Sequence, residues 1–163
     1  MQTNTNCCFT MKRLLIFLVI LFVCHGASSA VTYVYKGRST YMSDVLYTWD
    51  GKHLYAGRST YMSDILLTFD GKYVYKGRST YMSDAIATYD GKYFYEGRST
   101  YMSDVLLTWD GQYVYGGRST YMSDVLYTYD RQHVYKGRST YSSDILLTIK
   151  GSLPPAILMV ILY

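Results

Sequence analysis

A single unit of 20 residues repeats six times without a gap, and it dictates most of what this chain can become. Gly-Arg-Ser-Thr-Tyr recurs at Gly37, Gly57, Gly77, Gly97, Gly117 and Gly137. Met-Ser-Asp follows in five copies and Ser142-Ser143-Asp144 in the sixth. Each copy then runs through apolar residues and a Thr to Asp-Gly, as in Val45-Leu46-Tyr47-Thr48-Trp49-Asp50-Gly51; Arg131 takes the glycine's place in the fifth such turn. A unit this short cannot bury its own hydrophobic face, so neighbouring copies must supply the core.

Asp-Gly between two β-prone runs of period 2 is a strong hairpin signal. A two-residue type I′ turn at Asp50-Gly51 sets Trp49 opposite Lys52, Tyr47 opposite Leu54 and Leu46 opposite Tyr55. The pleat then places Val45, Tyr47, Trp49 and Leu54 on one face, and Leu46, Thr48, His53 and Tyr55 on the other. No 3.6-residue stripe survives the breaks every ten residues, so the expected class is all-β. The invariant Arg and Asp positions, Arg58 and Asp64 in the second copy, read as a ladder of ion pairs within or between copies.

The phase of the repeat bears on closure. Residues 31–38 supply only the second strand of a hairpin and residues 144–149 only a first strand. Five whole hairpins lie between them. Pairing of the two halves makes a sixth and removes exposed edges, so a closed or nearly closed ring of six tandem 20-residue hairpins is the favoured fold. The alternative is an open β-solenoid.

The ends depart from the repeat. Lys12 and Arg13, the apolar run Leu14 to Cys24, and Gly26-Ala27-Ser28-Ser29-Ala30 have the plan of a secretory signal peptide cut near Ala30. Met11 is the expected start, with residues 1–10 an upstream extension. The apolar run is short of the ~20 residues a membrane span needs, so the mature chain is expected to be secreted or periplasmic with no stable transmembrane span. All three cysteines (Cys7, Cys8, Cys24) fall in that leader, which excludes thiol or disulfide chemistry in the mature product. The domain plan is therefore a leader (1–30), a repeat domain (31–149) and an atypical apolar tail (150–163). The tail reads equally as a capping strand, a partner-binding segment or the product of a frameshift or truncation.

The stretch Leu46-Tyr47-Thr48-Trp49-Asp50-Gly51-Lys52-His53-Leu54 resembles the repeat of bacterial four-fold beta-flower proteins. That resemblance implies short hairpins around a symmetry axis and implies no activity. The Gly-Arg-Ser-Thr-Tyr-Met-Ser-Asp segment and the count of six depart from it. A weaker architectural likeness is to choline-binding repeats, whose aromatic pairs cage a quaternary ammonium, although their Trp-Tyr-Tyr run is missing. Tyr127-Thr128-Tyr129-Asp130 is similar to the tyrosine-Asp repeats of large secreted toxins over a still shorter stretch.

Catalysis needs an asymmetric constellation, and near-identical copies supply little. His53 and His133 stand where other copies have Tyr73, Tyr93 and Tyr113, and no copy joins Ser39 or Asp44 to a histidine as a triad requires. Asp50-Gly51 lacks the further oxygen ligands of a calcium loop, Gly37-Arg38 lacks the spacing and lysine of a phosphate loop, and Thr48 with its equivalents makes a poor ice-facing row. The chain is thus expected to be no enzyme, with no cofactor and no metal. The net charge of +4 over the whole chain does not call for nucleic acid. What remains is a polar-aromatic surface, with candidate ligand residues Arg58, Tyr61, Arg78, Tyr81, Arg98, Tyr101, Arg118 and Tyr121. Tyrosine combines an apolar ring with a hydroxyl handle, suited to sugar or peptide recognition. The favoured function is a multivalent module for a cell-envelope glycan or surface ligand. The alternative is a structural protein that assembles through strand edges into a fibre or coat.

Overall fold

The computed structural model describes residues 31–163, so the expected signal peptide, cleavage site and start at Met11 lie outside the described residues. Twelve short strands follow one another: β1 (Thr32–Lys36), β2 (Val45–Trp49), β3 (His53–Ala56), β4 (Ile65–Phe69), β5 (Tyr73–Lys76), β6 (Ala85–Tyr89), β7 (Tyr93–Glu96), β8 (Val105–Trp109), β9 (Tyr113–Gly116), β10 (Val125–Tyr129), β11 (His133–Lys136) and β12 (Ile145–Lys150). All pair antiparallel with their sequence neighbours, and β1 pairs with β12, so the sheet closes into a barrel. The closing register, Val34↔Ile149, Tyr35↔Thr148 and Lys36↔Leu147, repeats that of the hairpin β2–β3, Trp49↔Leu54, Thr48↔Tyr55 and Tyr47↔Ala56. The two half-units thus make the sixth hairpin, and the open solenoid is excluded. The sheet is one continuous wall rather than separate propeller blades.

Two details of the expected hairpin are corrected. Trp49 pairs with Leu54, not Lys52, and the Asp50 N–H donates to the His53 carbonyl at 3.2 Å, so the turn is centred on Gly51-Lys52, one residue later than expected. A type I′ turn needs positive φ at both central residues, and only the glycine takes it here (Gly51, φ 101°). Asp50 instead folds its carboxylate over the loop, where Oδ1 accepts the backbone N–H groups of Lys52 (2.8 Å) and His53 (2.6 Å). The second correction concerns the faces. Val34 pairs with Tyr47 but Tyr35 with Val45, so Leu46 is a β-bulge. Val45 therefore turns away from the lumen to join Tyr35 and Thr48, while Leu46 is pushed into solvent. Leu66, Ile86, Leu126 and Leu146 are exposed at the same bulge in their copies.

The apolar tail is neither strand nor loose end. After Lys150 the chain turns through Gly151 (φ 123°), where a Cβ would collide with the Thr32 side chain, so only glycine fits. Thr32 Oγ1 holds this turn by accepting from Ser152 N–H (2.9 Å) and donating to the Ser152 carbonyl (3.0 Å). Pro154 and Pro155 start the helix α1 (Pro155–Leu162), with proline in the first turn where its missing N–H costs nothing. Ala156, Ile157, Leu158 and Met159 are fully buried, in one cluster with Val34, Leu54, Val74, Phe94, Val114 and Val134 of the barrel wall. An eight-strand barrel is filled by its own side chains, but a wider one encloses a lumen. Here α1 is the filling. Eight residues at 1.5 Å rise span ~12 Å, comparable to the ~16 Å of a five-residue strand tilted across the wall.

Candidate functional site

Between consecutive hairpins lies an eight-residue arc, Gly57 to Asp64 in the second copy, which folds back on the outside of the barrel. Its start is tied to the wall by Thr48 Oγ1, which donates to the Gly57 carbonyl at 2.6 Å. The same bond recurs from Thr68, Thr88, Thr108 and Thr128, and Thr148 donates to the Gly37 carbonyl across the closure. These threonines are buried and are structural pegs, not a surface row. Its end is one turn of 3-10 helix, Met62–Asp64. In the next arc Met82 reaches back to β5, the strand before it, where Tyr75 OH donates to Met82 Sδ at 3.6 Å.

Within the arc, Ser59 Oγ donates to Asp64 and accepts the Tyr61 N–H at 3.1 Å, and Ser63 Oγ donates to Asp64 Oδ1 at 2.9 Å. The expected Arg–Asp ladder is therefore not formed, because the serines take the carboxylate. Among the described residues the only contacts within 4 Å between a basic side chain and a carboxylate join His53 to Asp50 and His133 to Asp130. Arg58, Arg78, Arg98 and Arg118 are exposed and free of carboxylates, and Tyr61, Tyr81, Tyr101 and Tyr121 are 76–77% exposed. Arg38 with Tyr41 and Arg138 with Tyr141 complete the set in the first and last copies. Hydroxyl donation from Ser59 and Ser63 holds the Asp64 carboxyl below its ordinary range, and Asp104 and Asp124 behave alike.

The opposite rim carries the hairpin loops. The histidines sit as tyrosine substitutes, with His53 Nδ1 3.2 Å from Asp50 Oδ2 and the ring edge-on to Tyr55. Tyr55 OH donates to Asp50 Oδ2 at 2.7 Å, and Tyr75, Tyr95, Tyr115 and Tyr135 repeat this bond to Asp70, Asp90, Asp110 and Asp130. Lys72 and Lys92 each lie 5.0 Å from the centre of the adjacent Tyr73 or Tyr93 ring. Partial burial pulls the turn carboxyls upward, but donation from backbone N–H groups and the tyrosine hydroxyl outweighs it and lowers all five. Burial and the bond to the carboxylate together push Tyr55 and Tyr95 up to about 12; for Tyr75 and Tyr115 the bond to the carboxylate is the larger cause.

These shifts set a pH profile. Below the ordinary carboxyl value of 3.8 the unfolded chain takes up protons before the folded one, so stability falls as pH falls. At the alkaline end the unfolded phenols ionise near 10 and the folded ones near 12, so stability falls again as pH rises through that window. Tm measured against pH is expected to be level in the middle and to drop at both ends. Asp70→Asn should lower the plateau and shrink both drops. Phenolate absorbance should show a class of tyrosines ionising late. A Tm indifferent to pH down to 2 would show that these loop bonds contribute nothing.

A closed, plugged barrel of six hairpin copies defines a symmetric all-β repeat architecture. Comparison with protein families matches residues 34–162 to the 6-fold beta flower protein family, and the chain belongs to that family. The match includes α1 as well as the strands, and it replaces the four-fold expectation with the six-fold symmetry seen in the barrel. The family is a repeat-protein family and no known enzyme class. No curated protein matches the chain, and neither does any solved structure.

Proposed function

We propose that this protein is an extracytoplasmic, multivalent binding module for a cell-envelope glycan, engaging it through the six Arg–Tyr arcs. One observation carries the reading. Every arc presents an exposed Tyr and an Arg without a carboxylate partner, on a backbone fixed by the Ser–Asp network. Ring and guanidinium are thus free to meet a ligand, and little ordering entropy remains to be lost on binding. The ring face suits a sugar plane. The guanidinium, a fork of donors, suits carboxylate or phosphate substituents, so anionic glycans are favoured. Strands of four to six residues are also well short of the ~9–11 of a bilayer-spanning barrel, which fits a protein working at a surface rather than through it. The assembly alternative needs a free strand edge, and each of the twelve strands has a neighbour on both sides.

Co-sedimentation with purified cell-wall material tests the proposal. Replacing both residues of one arc, Arg98→Ala with Tyr101→Ala, should weaken binding by less than tenfold. Replacing the pairs at 58/61, 78/81, 98/101 and 118/121 together should weaken it at least a hundredfold, because avidity is lost with the sites. Equal retention of the fourfold-replaced and wild-type proteins would overturn the reading. Filaments that lengthen with protein concentration would favour the structural alternative.

A further inference from the structure

The third copy breaks the sixfold pattern at three positions, two of which, 87 and 96, meet in space. Position 87 is Ala where the other copies have Tyr47, Leu67, Leu107, Tyr127 and Leu147. Position 85 is Ala where they have Val or Ile. Position 96 is Glu, the one glutamate of the chain, where they have Lys36, Ala56, Lys76, Gly116 and Lys136. Ala87 and Glu96 are direct cross-strand partners in the β6–β7 hairpin, so they share one face of the wall. The small side chain opens space beside the carboxylate. Phe94, in place of the Val or Leu of other copies, returns part of the lost volume. A pocket of about 180 Å³ remains. Its walls are Ala87, Phe94, Leu106 and Val160 of α1, with Glu96 and the exposed Tyr163 at its edge.

We infer that this pocket is a binding site for a small amphiphile with a positively charged head and a short aliphatic tail. The apolar walls take the tail, while Glu96 pairs with the head and the Tyr163 ring faces it as a cation–π partner. An anionic head would meet the carboxylate, which sets the preference by repulsion as well as attraction. The site is separate from the Arg–Tyr arcs and does not depend on the glycan reading.

Titration calorimetry with n-hexylammonium, n-hexanoate and n-hexanol tests the inference. The expected result is saturable binding of hexylammonium, at least tenfold tighter than hexanoate, with hexanol between them. Ala87→Leu should weaken hexylammonium at least tenfold by filling the slot, and Glu96→Lys should reverse the order of cation and anion. Each substitution installs the residue that three other copies already carry at that position, so both variants keep the fold, checked by circular dichroism. Absence of saturable binding, equal affinity for cation and anion, or a cation affinity untouched by Ala87→Leu would each overturn the assignment.

Discussion

Ile157→Asp should abolish the folded state, and Ile157→Ala should cost about 2–5 kcal/mol. Ile157 is fully buried, and α1 is surrounded by the strands of the barrel rather than laid on one face of a sheet. Loss of its side chain leaves a cavity that the wall can close only by bending hydrogen-bonded strands all round, so relaxation is limited and the upper half of that range is expected. A carboxylate at the same place has no partner. The buried wall cluster around it is made of aliphatic side chains and aromatic rings, and several kcal/mol of desolvation go unmet. Urea denaturation followed by tryptophan fluorescence reads the effect, since Trp49 and Trp109 belong to the same cluster as Ile157. A comparison substitution at exposed Tyr163, on the end of α1, should move stability by less than about 0.5 kcal/mol. If Ile157→Asp unfolds no more easily than wild type, the helix is not the core of the barrel.

That helix also marks where sequence reasoning ran out. The period of 20, the hairpins and the closure were legible because each is written locally, in Asp-Gly turns and in a repeat that starts and stops at half a hairpin. The role of Pro154 to Tyr163 was not, since an eight-residue run that is apolar all round has no periodicity to separate strand from helix. The signal that was present, two prolines ahead of an uninterrupted apolar run, describes a buried helix only once a lumen is there to receive it. Register failed at Asp50 because a side chain that caps its own loop competes with the two-residue turn its sequence suggests. The face of Val45 failed because one bulged residue inverts everything on the far side of it.

The candidate surface was legible in a different measure. Repetition singled out Arg58 and Tyr61 with their equivalents, and these are indeed exposed. Their electrostatics were misjudged, because counting an Arg and an Asp in every copy suggests pairing and takes no account of two serines within five residues of the same carboxylate. The pocket at Ala87 was hidden behind the repeat itself. Its two departures from the pattern, at 87 and 96, become one feature only when the true register sets Ala87 across from Glu96.

Closure carries the second large effect. Tyr33→Cys with Lys150→Cys should form an intramolecular disulfide and raise stability by about 4–5 kcal/mol, the value for cross-linking a loop of ~100 residues. Tyr33 and Lys150 are direct partners across the β1–β12 seam. Opposed residues of an antiparallel pair lie about 4.5–5.5 Å apart at Cα, within the span a disulfide bridges. The register is the reason to choose this pair over residues 35 and 146, which a two-residue turn would bring together: Tyr35 faces Thr148, whereas the Leu146 carbonyl accepts the Gly37 N–H. Lys150→Cys gives up the contact of its ammonium with the Tyr35 ring, 5.3 Å from the ring centre, a small loss beside the gain. The expressed chain should begin at Val31, which leaves no competing cysteine. Air oxidation at low protein concentration, followed by non-reducing electrophoresis and denaturation with and without reductant, separates the outcomes. A compact monomer whose reductant-sensitive midpoint rises confirms the seam. Disulfides that form only between chains, at a rate that grows with concentration, would mean that β1 and β12 do not meet and that the ring is open.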